Sequence, residues 1–351
     1  MRKNNIVVFV HTEYHLMLTI NEILKNPEVK YRVYLIKKGQ QKRLSLALDL
    51  TGLPNATFLE LILNIDLKQK FTSDHVGLIN ELITNNFNEL IFFQEQDPFI
   101  LSILKSLKKN GIKTEISLYQ DGLKPYNQMK GFSIGMIQGD IKVWKWLWKN
   151  NIKELKPYKL LQTKRYAYLD EIDSVFLTFP ESYYNWNKRE INQIQFFDHL
   201  LFKSNLEKVF DWNKGLLPKN ENVIFYLTQP MHHDANVEVE FLEKLQQRLG
   251  KEIILKLHPL TNAAQEKVYR SIGKDVYLIK SKIPAELFIM NLKDSTIVSL
   301  NSTSLFYPSP SNRYYYTSNL FQDKIKRLTR YKFNSSPASH IKMVKSLEEI
   351  V

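Results

Sequence analysis

Two blocks of alternating strand and helix patterns, separated by a less regular stretch, predict an α/β protein of two Rossmann-like domains facing a central cleft. Three observations carry this. Short apolar runs rich in Val, Ile, Phe and Tyr recur between amphipathic segments, the pattern of parallel strands buried on both faces. The alternation breaks near residue 125 and resumes near residue 220. The chain has 351 residues, 44% of them hydrophobic, enough for two cores. The division is set at residues 1–190 and 191–351.

In the first block, "NIVVFV" is a strand and "YHLMLTINEIL" is helical. "YRVYLIKK" and "ELIFFQ" are strands, and "DPFILSILKSLKKNG" is a helix closed by Gly111. "KTEISLYQDG" is a strand ending in a turn. The middle holds "KVWKWLWKNNIKELK" and "EIDSVFLTFPESYYNWNKREINQI", without clear alternation. The second block opens with the strand "NVIFYLTQP" and the helix "NVEVEFLEKLQQRLG", ended by Gly250. "KEIILKLHP" and "DVYLIKS" are strands, "IPAELFIMNLK" is helical, and "STIVSLNSTSLFY" begins as a strand. "SPASHIKMVKSLEEIV" reads as a C-terminal helix capped by Ser336 or a neighbour.

The chain contains no cysteine, which excludes disulfides, thiolate metal sites and a cysteine nucleophile. The apolar run Ile6–Val10 is too short for a signal peptide, and no run approaches the roughly 18 apolar residues of a membrane span. A cytoplasmic protein is expected. Its net charge of +13 suits a polyanionic partner: nucleic acid, anionic lipid, acidic glycan or nucleotide phosphate. No nucleic-acid recognition motif accompanies it. The 11 glycines form no dinucleotide fingerprint and no Gly-Lys-Ser phosphate loop, so any phosphate is held by other donors.

Polar groups gather at the expected strand ends, where open parallel sheets bind ligands. These are "HTEYH" (His11, Thr12, His15), "YQDG" (Gln120, Asp121, Gly122), "TQPMHHD" (Gln229), "KLHP" (Lys256, His258, Pro259) and "NSTS" (Ser302, Thr303, Ser304). Asp121 before Gly122 is an ordinary turn pair, or a carboxylate placed to take a proton from a hydroxyl. Ser302–Ser304 cap a helix, or cradle an anion at its start. His258 ends a strand, or meets a ligand there. His232 and His233 beside Asp234 suggest a metal site, but adjacent side chains diverge and no third ligand is evident, so none is expected. The cluster Trp144–Trp148 among lysines is core, or a patch for the membrane interface.

"YQDG", "KLHP", "IPAELF" and "NSTS", in this order, resemble the motifs of the bacterial sialyltransferases. These are B-type glycosyltransferases with acidic-Gly, His-Pro and Ser-Ser/Thr motifs. The group includes polysialyltransferases and capsule or lipooligosaccharide enzymes. The resemblance implies a metal-independent, inverting transfer of sialic acid from CMP-sialic acid to a galactoside or sialoside in surface polysaccharide synthesis, with no cofactor. It implies an acceptor-side first domain with Asp121 as general base, and a second domain that holds the CMP-sugar. His258 would assist departure of CMP, and Ser302, Thr303 and Ser304 would bind its phosphate. Glu286 would meet the ribose, with Gln229, Lys256, Gly122 and Pro259 nearby. His11, Thr12, His15 and Gln120 would lie on the acceptor or sugar side.

Where the family motif often carries two acids before the glycine, the first here is Gln120, so the base falls to Asp121. The chemistry suits these residues: the transfer needs a base for the acceptor and a cation or donors for a single phosphate, which a protonated His258 would supply. Other readings are a B-type enzyme using CMP-Kdo or a nucleotide-diphosphate sugar, and a non-catalytic polyanion-binding protein. The tryptophan cluster tilts the expectation toward peripheral contact with the anionic inner membrane and a short, neutral galactoside acceptor. A basic groove for long sialosides is the other option.

Overall fold

The structure is a computed structural model describing residues 5–38, 48–63, 68, 70–85, 87–126, 128–129, 134–152, 166–184, 188–229, 235–273, 276–325, 331–332 and 336–351. The chain forms two compact units. The first comprises Met1–Ser45, Asp49–Pro125 and Gly131–Phe202; the second comprises Leu46–Leu48, Tyr126–Lys130 and Lys203–Val351.

The first unit is built on a sheet of seven described strands: β1 (Asn5–Val10), β2 (Lys30–Lys38), β3 (Ala56–Leu63), β4 (Glu89–Phe92), β5 (Glu115–Tyr119), β7 (Ser174–Leu177) and β8 (Glu190–Gln193). They lie in the order β3-β2-β1-β4-β5-β7-β8, every neighbour parallel. Strands β1, β4 and β5 are buried almost throughout, which explains their unbroken apolar runs. Helices α1 (Glu13–Lys25), α2 (Ser73–Thr84), α3 (Pro98–Lys109) and α4 (Ile134–Lys149) complete the unit. Thr12 caps α1 by accepting the His15 N–H, and Asp97 caps α3 by accepting the Phe99 N–H, with Pro98 in the first turn. Gly111 follows α3 at φ 66°, a conformation glycine adopts without strain.

The second unit has a six-stranded described sheet: β9 (Ile224–Leu227), β10 (Ile253–Lys256), β11 (Val276–Ile279), β12 (Thr296–Ser299), β13 (Arg313–Tyr316) and β15 (Ile341–Met343). Its order is β11-β10-β9-β12-β13-β15, again wholly parallel. Two short strands, β6 (Gln128–Met129) and β14 (Tyr331–Lys332), pair antiparallel. Helix α5 (His199–Val209) carries the chain into this unit, followed by α6 (Asn236–Leu249), α7 (Ala263–Tyr269) and α8 (Ala285–Met290).

The two parallel-sheet units are the expected α/β fold. Two details differ from expectation. Strands β7 and β8 come from the irregular middle and pair onto β5, so the first unit runs to Phe202, past residue 190. The last segment is not a helix. Ile341–Met343 pairs in parallel with β13, and only a 3₁₀ turn, Leu347–Glu349, follows. Ile341 is buried and Lys342 exposed, so a free sheet edge took a segment whose apolar residues also fit a helix. No helix among the described residues is long and apolar enough to cross a membrane.

The second core holds a charge. Glu238 on α6 is fully buried and accepts hydrogen bonds from the hydroxyls of Tyr226 on β9 and Tyr269 on α7. Burial, reinforced by the Glu238 charge, pushes both phenols above their ordinary range, so both stay protonated donors. Removing one donor by Tyr269→Phe should lower unfolding stability by about 1–3 kcal/mol, read as a shift of the urea midpoint.

Candidate functional site

In the first sheet the strand order reverses between β1 and β4, and the carboxyl ends of β1, β4 and β5 lie on one edge because all three are parallel. Asp121 sits just beyond β5, in a turn that Gly122 permits at φ 62°. Its side chain is 14% exposed. One carboxylate oxygen, Oδ1, lies 3.0 Å from His15 Nε2, and the other pairs with the Lys124 ammonium.

His15 is held from three sides. Its ring stacks on Phe93 at 4.2 Å, nearly parallel, at the end of β4. The His11 main-chain N–H donates to His15 Nδ1 at 3.3 Å, which leaves the proton on Nε2, facing Asp121. Burial pushes the imidazole down to about 4, against the raising influence of Asp121. At neutral pH His15 is therefore an uncharged donor, and the positive charge at Asp121 belongs to Lys124. Burial alone would raise the Asp121 carboxyl. The bond from His15 and the charge of Lys124 outweigh it and hold the group below the usual carboxylate range.

Behind this pair, His11 is buried and its Nε2 meets Asp97 Oδ2 at 2.6 Å. Thr12 is engaged as the cap of α1. Gln120 is fully buried. Its amide donates to Tyr14 Oη at 2.9 Å and accepts the Thr178 N–H at 2.8 Å, tying α1 to the end of β7. The two neighbours divide the work: Gln120 pins the sheet, and Asp121 in the following turn is partly exposed. Glu95, unforeseen in the sequence, accepts the Ala167 and Tyr168 N–H groups at 2.9 Å each. Burial pushes its carboxyl up to about 8, opposed by those two bonds and by the charge of Lys124. Its signal in "FFQEQDP" is an acid two residues past a buried strand, which alone does not separate a ligand from a buried anchor.

In the second sheet the order reverses between β9 and β12. His258 follows β10. Its N–H donates to Thr228 Oγ1 at 2.8 Å, at the end of β9, and its Nδ1 accepts the Leu260 N–H at 3.1 Å. This selects the neutral tautomer with the proton on Nε2. Its Nε2 is then the nitrogen that can donate toward a phosphate. Pro259 is exposed beside it. Gln229 Nε2 donates to Ser299 Oγ at 3.3 Å, joining the ends of β9 and β12. Lys256 is buried, its ammonium 3.0 Å from the Ser281 carbonyl oxygen and over the Phe288 ring. It braces the chain ahead of α8. Glu286 is buried in the first turn of α8. After β12, Ser302 accepts the Ser304 N–H at 3.3 Å and opens a single 3₁₀ turn, Thr303–Phe306, not a full helix. The Tyr316 hydroxyl fixes the Ser302 carbonyl at 2.7 Å. His232, His233 and Asp234 lie outside the described residues.

The His15 geometry makes a pH prediction. Between pH 6.5 and about 4 the unfolded chain binds a proton at this histidine and the folded chain does not, so acidification through this window favours unfolding. His15→Gln should remove up to roughly 3 kcal/mol from the loss of stability between these limits, measured as urea midpoints across pH.

The family described as alpha-2,8-polysialyltransferase matches residues 2–312, a span that includes every motif of both units. No curated protein sequence matches the chain. Among solved structures, the α/β-galactoside α-2,3-sialyltransferase of Photobacterium phosphoreum is 16% identical, covers all of both chains and has a TM-score of 0.56. The sialyltransferase of Photobacterium damsela is 13% identical, with 97% of this chain and 81% of that one covered and a TM-score of 0.55. At these identities the likeness speaks to the fold, that of the B-type glycosyltransferases. The family match over most of the chain speaks to the activity: the chain belongs to the alpha-2,8-polysialyltransferase family, and it is a sialyltransferase.

Proposed function

We propose that the protein transfers sialic acid from CMP-sialic acid to a hydroxyl of a sialoside, with Asp121 of the first unit as general base. The observation that supports this best is the Asp121 turn: a carboxylate at the switch-point edge of a parallel sheet, partly exposed and oriented by a buried donor. The family's own description favours a sialoside over the neutral galactoside that the tryptophan cluster alone suggested.

In this reading, Asp121 takes the proton of the acceptor hydroxyl as its oxygen attacks the anomeric carbon of the donor from the face opposite CMP. The bond to the phosphate oxygen breaks and CMP leaves with the electron pair, inverting the centre. His258 donates through Nε2 to the departing phosphate, helped by the hydroxyl of Thr303 and by Ser302 and Ser304. Glu286 receives the ribose hydroxyls, and Gln229 orders the strand ends beside them. A single phosphate with these donors calls for no divalent ion or cofactor.

The basic surplus has a place as well. On α4, Trp146 and Leu147 are buried while Ile141 and Trp148 are exposed, and Trp144 lies 5.7 Å from Trp148, ring to ring. Lys142, Lys145 and Lys149 are exposed on the same helix. An indole and an isoleucine beside three ammonium groups suit the face of an anionic bilayer, and would hold the enzyme at the inner membrane surface.

Two measurements test this reading. With CMP-sialic acid and a sialoside, mass spectrometry should show chain extension, and CMP-Kdo should give none. Asp121→Asn should lower turnover by ~10²-fold or more while CMP still binds, and His258→Ala should also lose turnover. Near-normal turnover of the Asp121 variant removes that residue from the chemistry. For the membrane face, co-sedimentation with vesicles should require anionic lipid, weaken with salt, and drop in Trp148→Ser/Lys145→Ser. Binding that is equal on neutral vesicles counts against it.

A further inference from the structure

We infer that Lys124 is the residue that recognises the acceptor's carboxylate, and that in moving from Asp121 to that carboxylate it frees the base. The inference rests on the reading of Asp121 as base and of a sialoside as acceptor; what it adds is how the enzyme selects an anionic acceptor.

The geometry at Asp121 poses a problem for catalysis. Both oxygens are engaged: Oδ1 by His15 and Oδ2 by Lys124. Each oxygen keeps a second lone pair that a hydroxyl can reach, so the difficulty is one of base strength. A carboxylate neutralised by an ammonium is a weak base, because the cation stabilises the ionised form and opposes protonation. For full basicity one of the two partners has to yield.

The two are not equally able to do so. His15 is 1% exposed, stacked on Phe93, and bound at Nδ1 by the His11 N–H. It cannot leave without dismantling the end of β1 and α1. Lys124 is 50% exposed, on a flexible side chain, in the turn three residues after Asp121. The other titratable groups around the turn are spoken for. His11 is bound to Asp97, which also caps α3, and Glu95 holds two main-chain N–H groups. Of the groups bonded to Asp121 among the described residues, Lys124 alone is both charged and within reach of solvent.

A sialic acid residue carries a carboxylate and, on the same sugar, the hydroxyl-bearing side chain that an α-2,8 linkage uses. If that carboxylate takes the ammonium of Lys124, the cation keeps an anionic partner, so little is lost in the exchange. Oδ2 of Asp121 is vacated at the moment the acceptor hydroxyl arrives. The hydroxyl proton passes to Oδ2, its oxygen bonds to the anomeric carbon, and CMP leaves with the electrons of the broken bond. Oδ1 stays fixed by His15 throughout. A neutral galactoside offers no partner for Lys124, so it meets a base still masked. The same exchange explains an ion pair that would otherwise only impede the chemistry: it makes base strength conditional on the charge of the acceptor.

The test compares a short sialoside acceptor with its methyl ester, in the wild type, Lys124→Gln and Asp121→Asn, with urea midpoints confirming that each variant folds. For the wild type, esterification should raise KM by about 10-fold or more. Lys124→Gln should raise KM for the free acid by a similar factor, and esterification should then change little, because the two modifications remove one interaction. With the cation gone, the acid limb of kcat/KM should move to higher pH, toward the ordinary carboxylate range. A purely structural ion pair predicts otherwise: equal loss on acid and ester, or an unmoved acid limb, overturns the inference. The Asp121→Asn variant separates the two levels. If it keeps turnover, the base assignment itself has failed. If it is inactive while Lys124→Gln still separates acid from ester by the wild-type factor, only the role given to Lys124 falls.

Discussion

The bond from His15 to Asp121 is the contact around which the first unit's working edge is organised. It joins the first turn of α1 to the turn after β5, two elements separated by 106 positions in the chain. The histidine that makes it is uncharged at neutral pH. Burial and a main-chain donor at Nδ1 set that state, and stacking on Phe93 fixes the ring plane. A neutral donor orients a carboxylate without cancelling its charge. The buried ring can therefore fix the position of Asp121 while leaving its electrostatics to Lys124, which solvent and ligands can reach. Orientation and charge control are thus assigned to different side chains, one rigid and one mobile.

The second unit follows the same plan with different groups. His258 is anchored by its main chain to Thr228 and by its ring to the Leu260 N–H, so its Nε2 too is held in one orientation. Lys256 is used inside the fold, where it meets the Ser281 carbonyl and the Phe288 ring. In both units the buried polar groups next to the strand ends are devoted to holding backbone. Gln120, Glu95 and Lys256 each satisfy main-chain N–H or carbonyl groups that a loop beside a sheet would otherwise leave unpaired. A sheet edge that is to bind a ligand cannot close those groups with further strands, so side chains do it instead.

The positive surplus divides along similar lines. A few lysines are tied to carboxylates within the units, as Lys105 is to Glu171, both largely buried. Others stand on exposed helical faces, as Lys142, Lys145 and Lys149 do on α4. Their neighbours Ile141 and Trp148 are apolar and exposed. Charge and apolar surface on one helix is the combination that an anionic interface rewards on both counts.

The unbroken apolar runs of β1, β4, β9, β10 and β12 were legible in the sequence, because a strand buried on both faces leaves no other pattern. So were the helix ends at Asp97, Gly111 and Gly250, where local chemistry alone decides. With the strands in place, the strand-end positions of Asp121, His258 and Ser302 followed. Strands β7 and β8 and the last strand did not follow. Short and mixed in composition, they became strands because an open sheet edge accepted them. The roles of neighbours were also beyond the sequence. "YQDGLK" does not say that Gln120 faces inward and Asp121 outward, nor that a histidine 106 positions earlier supplies the second contact. "KLHPL" does not say which ring nitrogen of His258 holds the proton. Periodicity reports burial along one element. Which side chains meet, which proton sits between them and which cation is free to move depend on distances across elements, and only the folded chain sets those.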